Sequence, residues 1–193
     1  MAIRTPSKRI VDDIAQVIYT SEEIRGVIAR LGAEISRDYA GLDPVLVGVL
    51  NGVVILMADL LRQITIPVTV DFMAISSYGD SAGKGTVRIT KDLDHSITGR
   101  HVLFVEDVID TGLTLDYLLR TLRTRQPASL KVCVLFDRPY RRLIDIPLDY
   151  RGLELPDRFV VGYGLDADGY YRNLPFIGAL HPKLMPHPAT ERG

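Results

Sequence analysis

Continuous apolar runs alternate with amphipathic stretches along the chain. VLVGVL (45–50), HVLFV (101–105), KVCVLF (131–136) and FVVGYG (159–164) carry apolar residues at consecutive positions, as strands buried on both faces do. VTVDFMA (68–74) alternates like a strand with one buried face. Between these runs the period changes to that of a helix. Thr20-Ser21-Glu22-Glu23 forms a capping-box pattern, and Ile24, Val27, Ile28, Leu31 and Ile35 follow on one face. Val53, Met57, Leu60, Leu61 and Ile64 mark a second helix, and Leu113, Leu115, Leu118, Leu119 and Leu122 a third. The segment SSYGDSAGKGT (76–86) has neither period and reads as a long mobile loop. This alternation predicts an α/β fold, a parallel sheet covered by helices on both faces.

In such sheets ligands bind at the carboxyl ends of the strands. The apolar runs stop there at Asn51-Gly52, at Glu106-Asp107, at Asp137-Arg138 and at Gly162 to Asp166. Four strand ends that turn polar or glycine-rich together predict a site.

Composition narrows the choice. The chain of 193 residues is 47% hydrophobic and 24% charged, which fits one globular domain. Its 23 Lys and Arg nearly balance 24 Asp and Glu, so no general nucleic-acid or anionic-membrane surface is expected. Cys133 is the single cysteine, sits inside an apolar run and reads as a buried strand thiol. His95, His101, His181 and His187 show no metal-ligand spacing. No run is long enough to span a bilayer, and the first residues lack the apolar core of a signal peptide. A cytoplasmic location is expected.

The stretch FVEDVIDTGLT (104–114) is the most informative. Three carboxylates so close together repel one another and call for a positive or hydroxyl-rich partner. Thr111-Gly112-Leu113-Thr114 lies between a strand and a helix, and it reads either as an ordinary helix cap or as a cradle for one phosphate. With Glu106 and Asp107 beside it, the cradle suits a ligand carrying a phosphate and vicinal hydroxyls, as a ribose 5-phosphate does. A Walker-type loop and the dinucleotide glycine fingerprint are both absent.

VLFVEDVIDTGLTL resembles the phosphoribosyl pyrophosphate signature of the purine salvage phosphoribosyltransferases. Asp110 before Thr-Gly, together with FVVGYGLD, narrows the resemblance to the bacterial hypoxanthine and hypoxanthine–guanine branch, over about residues 18–180. It implies a type I phosphoribosyltransferase fold in a single domain spanning residues 1–193. The core would cover about 20–165, and a small hood would form from the N-terminal segment and about 147–185. It implies transfer of the phosphoribosyl group to a 6-oxopurine, with release of pyrophosphate and with Mg²⁺ as cofactor. The protein would form a homodimer or homotetramer.

By this resemblance Glu106 and Asp107 hold the ribose hydroxyls, directly or through Mg²⁺, and Asp110 takes the N7 proton as general base. The run through Val108, Ile109, Asp110, Thr111, Gly112, Leu113 and Thr114 binds the ribose and 5′-phosphate. Asn51 and Gly52 form the pyrophosphate loop, Arg172 grips the leaving pyrophosphate, and Asp166 contacts the purine and is a ligand of the Mg²⁺ bound to pyrophosphate. Phe159 stacks on the base, the Val160 main chain reads its edge, and Arg138 donates to O6 with its other arm turned to Asp110 or solvent. Ser77 and Tyr78 belong to a lid. Without the resemblance, Asn51-Gly52 reads as a turn, Phe159 as core, Arg172 as a solvated side chain and 76–86 as a surface loop. Arg138 and Asn51 stand where relatives usually carry Lys, or Lys or Arg, and Leu113 where they carry Lys or Asn. The alternative function is a regulator of the same fold that binds a phosphoribosyl ligand without catalysis.

Overall fold

The computed structural model describes residues 6–78 and 86–185. The chain runs from β1 (Ile14–Tyr19) into α1 (Ser21–Asp38), then β2 (Val45–Leu50), α2 (Val53–Gln63), β3 (Thr69–Tyr78) and β4 (Thr86–Lys91). β5 (His101–Ile109), α3 (Leu113–Arg123), β6 (Ser129–Asp137) and β7 (Tyr150–Glu154) follow, with β8 (Val160–Val161) and β9 (Ile177–Leu180) last. The capping box forms as the sequence predicts. The Thr20 hydroxyl accepts the Glu23 N–H at 3.2 Å, and the Glu23 carboxylate accepts the Thr20 N–H at 2.8 Å.

Six strands form the main sheet in the order β4-β3-β2-β5-β6-β7. All neighbours are parallel except β3 and β4, so the sheet is parallel with one antiparallel edge. Its central strands carry continuous apolar runs because both faces are covered there. Leu46, Leu103, Val105, Cys133 and Leu135 point to the side of α1 and α2, where Ile24, Leu31, Leu56 and Leu60 meet them. Val47, Val102, Phe104, Val132 and Val134 point to α3, against Leu115, Leu118, Leu119 and Leu122. Each such side chain contributes about 1.5–3 kcal/mol on burial. Cys133 is fully buried and its thiol is pushed up to about 12 by desolvation, which suits a core residue.

The small sheet joins segments far apart in the chain. β1 pairs antiparallel with β9, and β9 with β8. Beneath it Val161, Ala167, Tyr171, Leu174 and Leu180 form a separate apolar cluster. Asp13 is buried there, accepting the Ser7 N–H at 2.9 Å and the Tyr171 hydroxyl at 3.0 Å.

Four sequence expectations change. FVV does not supply a strand of the parallel sheet: β8 is two residues long and belongs to the small sheet. The strand that starts with the apolar run at 101–105 does not end at the acids, since β5 pairs with β6 as far as Ile109 opposite Asp137. The expected loop 76–86 begins and ends as strand, with Ser76 paired to Arg88 and Tyr78 to Thr86. Residues 79–85, and the side chains of Ser77 and Tyr78, lie outside the described residues, so the lid expectation has no structural counterpart here. β7, within the range assigned to the hood, is an edge strand of the main sheet. Among the described residues, no helix is long and apolar enough to cross a membrane.

Candidate active site

The carboxyl ends of β2, β5 and β6 open into a cleft of about 350 Å³. Gly52, Glu106, Asp107, Val108, Asp110, Arg138, Val160, Asp166 and Arg172 line it, all of them predicted from the sequence. Val49, Leu50, Ile75 and Leu165 complete the walls with apolar surface. A second cavity of about 200 Å³ adjoins it and shares Glu106, Val108 and Asp110. Ile109, Thr111, Gly112 and Thr114 line this second cavity.

Gly112 sits at φ 81° immediately before α3, a left-handed conformation that glycine adopts without strain. It has no side chain to cap the helix; the Leu113 N–H meets the Thr111 hydroxyl at 3.4 Å, and the next first-turn N–H groups remain open to an external anion. Two further glycines bring separate segments into contact. A Cβ on Gly52 would overlap the Asp107 carboxylate, and one on Gly164, at φ +94°, would overlap the Gly52 carbonyl. The turn after β2, the end of β5 and the loop at 162–166 can therefore meet only through bare backbone. Arg172 locks that junction, with Nη1 donating to the Gly164 carbonyl at 2.5 Å and Nη2 2.7 Å from Asp166 Oδ1.

The acids of the cleft differ in what surrounds them. Burial, and then the Asp107 charge, push the Glu106 carboxyl well above the usual glutamate range. Burial also raises Asp107, although the Val108 N–H at 2.7 Å and the nearby Arg172 act in the opposite direction. Asp110 Oδ2 lies 3.3 Å from Arg141 Nη1. Three buried polar atoms here have no hydrogen-bond partner among the described residues: Glu106 Oε2, Asp110 Oδ1 and Arg138 Nε. Each such atom costs about 1–3 kcal/mol unless a ligand or water satisfies it.

Several expected residues stand elsewhere. Phe159 packs, partly buried, against the cluster under the small sheet and does not line the cleft. Asn51 is exposed and outside both linings, as is Leu113, whose side chain is 51% exposed. The Arg138 Nη2 donates to the Arg158 carbonyl at 3.0 Å, and among the described residues Arg138 makes no hydrogen bond to Asp110. Glu106, Asp107 and Asp166 do not converge as a preformed metal triad; among the described residues no three ligating side chains do. Asp166 is instead taken up by Arg172 and the Gly169 N–H. Arg141 and its second partner, Asp157 at 3.1 Å, were not foreseen. The signal was the arginine-rich DRPYRR, of which only Arg138 drew attention.

Residues 10–168 match the family model of the phosphoribosyl transferase domain. The hypoxanthine-guanine phosphoribosyltransferase of Streptococcus agalactiae is 48% identical over 90% of this chain and 97% of its own. That of Bacillus subtilis is 48% identical over 89% and 96%. A crystal structure of a hypoxanthine phosphoribosyltransferase from Staphylococcus aureus superposes with a TM-score of 0.86 at 41% identity, covering 93% of this chain and 99% of that one. A signature strand end, an open helix N-terminus and a match across most of the chain agree: the protein belongs to the phosphoribosyltransferase family.

Proposed function

We propose that the protein transfers the phosphoribosyl group of phosphoribosyl pyrophosphate to a 6-oxopurine, hypoxanthine foremost. One observation carries the choice of base. The cleft is lined by an acceptor, the Asp110 carboxylate, and by a donor, the Arg138 guanidinium. The imidazole edge of a 6-oxopurine offers N7–H to the first and O6 to the second. Adenine would set an amino donor against a donor, leaving both unpaired.

The reaction then follows from the residues around the bound substrates. N9 of the base forms a bond to the anomeric carbon as the bond from that carbon to pyrophosphate breaks, and its electron pair leaves with pyrophosphate. The N7 proton passes to Asp110. The ribosyl centre gains positive character during the exchange, and Glu106 and Asp107 stabilise it electrostatically. The open N-terminus of α3, with Thr111 and Thr114, receives the 5′-phosphate. Arg172 and the backbone at Gly52 hold the pyrophosphate. Val160 and the small sheet act as the hood that covers the base.

The unpartnered Glu106 Oε2 beside Asp107 suits a hard cation that arrives with the substrate and keeps several waters. Glu106 and Asp107 would hold such a Mg²⁺, with Asp166 available once Arg172 turns to the pyrophosphate. When bound, the ion supplies charge neutralisation to the leaving pyrophosphate.

Incubation with phosphoribosyl pyrophosphate, Mg²⁺ and hypoxanthine should yield inosine monophosphate and pyrophosphate in equal amounts. Tight binding of the phosphoribosyl ligand without product would favour the regulator instead. Neither binding nor product would overturn both readings.

A further inference from the structure

Arg141 ends the short 3-10 turn Pro139–Arg141 that follows β6. Its guanidinium bridges two carboxylates, with Nη1 3.3 Å from Asp110 Oδ2 and Nε 3.1 Å from Asp157 Oδ1. Its backbone is fixed too, since the Arg141 N–H donates to the Arg138 carbonyl at 3.0 Å. The side chain is 47% exposed, and an exposed ion pair of this kind stabilises a fold very little. Its effect on Asp110 is more specific.

The last torsion of an aspartate is broad and nearly two-fold, so a carboxylate without partners samples many orientations. Among the described residues, no other side chain or backbone donor bonds to the Asp110 carboxylate. Arg141 therefore selects the orientation. With Oδ2 taken, Oδ1 is the one oxygen left without a partner. A planar guanidinium anchored at Nε by a second acid can hold that direction, whereas the single flexible ammonium of lysine cannot bridge in a fixed plane.

We propose that Arg141 is a positioning residue for Asp110: its bond to Oδ2 fixes the plane of the carboxylate that takes the N7 proton of the purine, and Asp157 fixes the guanidinium that does so. The proposal rests on the reading of Asp110 as proton acceptor given above. Arg141 touches neither substrate. Its removal should lower the rate of the chemical step and leave phosphoribosyl pyrophosphate binding alone.

A double-mutant cycle on the full chain tests this, with hypoxanthine as the base. Arg141→Gln should lower kcat about 10–100-fold, the range for residues in direct contact, with KM for phosphoribosyl pyrophosphate within about twofold. Arg141→Lys should recover part of the loss, and Asp157→Asn should show a smaller loss in the same direction. In an Asp110→Asn background, Arg141→Gln should slow the reaction no further. An equal loss in both backgrounds, or no loss in either, would overturn the proposal. Thermal midpoints of the variants separate a folding defect from a catalytic one. An unmutated protein that does not convert hypoxanthine would remove the functional reading itself, whereas a converting enzyme with an additive cycle removes only the role of Arg141.

Discussion

Two buried acids near the carboxyl edge of the sheet are treated in opposite ways. Asp137, the last residue of β6, is 1% exposed and meets two guanidiniums, Arg142 at 2.5 Å and Arg151 at 2.6 Å. Glu106, on the adjacent β5, is shifted upward by burial and by Asp107, and its Oε2 has no partner among the described residues. The protein satisfies the first acid itself and leaves the second for something that arrives from outside. Asp110 lies between these extremes, one oxygen paired with Arg141 and the other unpartnered. An acid with both oxygens bonded to guanidiniums belongs to the scaffold, because its charge is already neutralised within the protein. An acid held at a cost to folding marks a place where binding or catalysis recovers that cost.

The half-paired acid should give the largest effect. Asp110→Asn keeps the shape and removes the proton acceptor, so turnover should fall about 10²–10⁴-fold with phosphoribosyl pyrophosphate affinity little changed. Steady-state kinetics with both substrates varied would show it, and near-normal turnover would take Asp110 out of the chemistry.

The scaffold acid should act on stability instead. Asp137→Ala leaves the mostly covered Arg142 without its counter-charge and should cost about 3–5 kcal/mol in urea unfolding. A loss below about 1 kcal/mol would place this pair with ordinary surface ion pairs.

Glu106 should behave in the reverse sense. A carboxyl raised in the folded state binds its proton more tightly there than in the unfolded chain. Its contribution to stability therefore falls as pH rises from the usual value of 4.5 through the raised folded value. Glu106→Gln removes that penalty. The ligand-free variant should be more stable than the parent at pH 8, with the gap closing towards pH 4. A variant less stable than the parent at pH 8 would mean that the glutamate is satisfied in the folded protein.

The same contrast explains what could be read from the sequence. Periodic features were legible: the α1 capping box, the alternating burial of β2, β5 and β6, and the leucine face of α3. The signature at 106–114 was legible because its residue types are chemically unusual at a strand end. The limits of β5 were not, since Glu106 and Asp107 interrupt the apolar pattern while the backbone ladder continues. FVV was assigned to the wrong sheet because a short apolar run carries no information about its pairing partner. Phe159 was given a stacking role, but its neighbours are set by the small sheet, whose strands β1 and β9 lie far apart in sequence. Arg141 reaches Asp110 across 31 positions, and no local pattern encodes such a contact.

The relative specificity for hypoxanthine and adenine tests the central claim most directly. Initial rates of the unmutated protein with saturating phosphoribosyl pyrophosphate and Mg²⁺ should give a kcat/KM for hypoxanthine at least about 10²–10³-fold above that for adenine, because only the 6-oxopurine satisfies both the Arg138 donor and the Asp110 acceptor. Values within about tenfold of each other would contradict the account, since one missing methylene can produce as much.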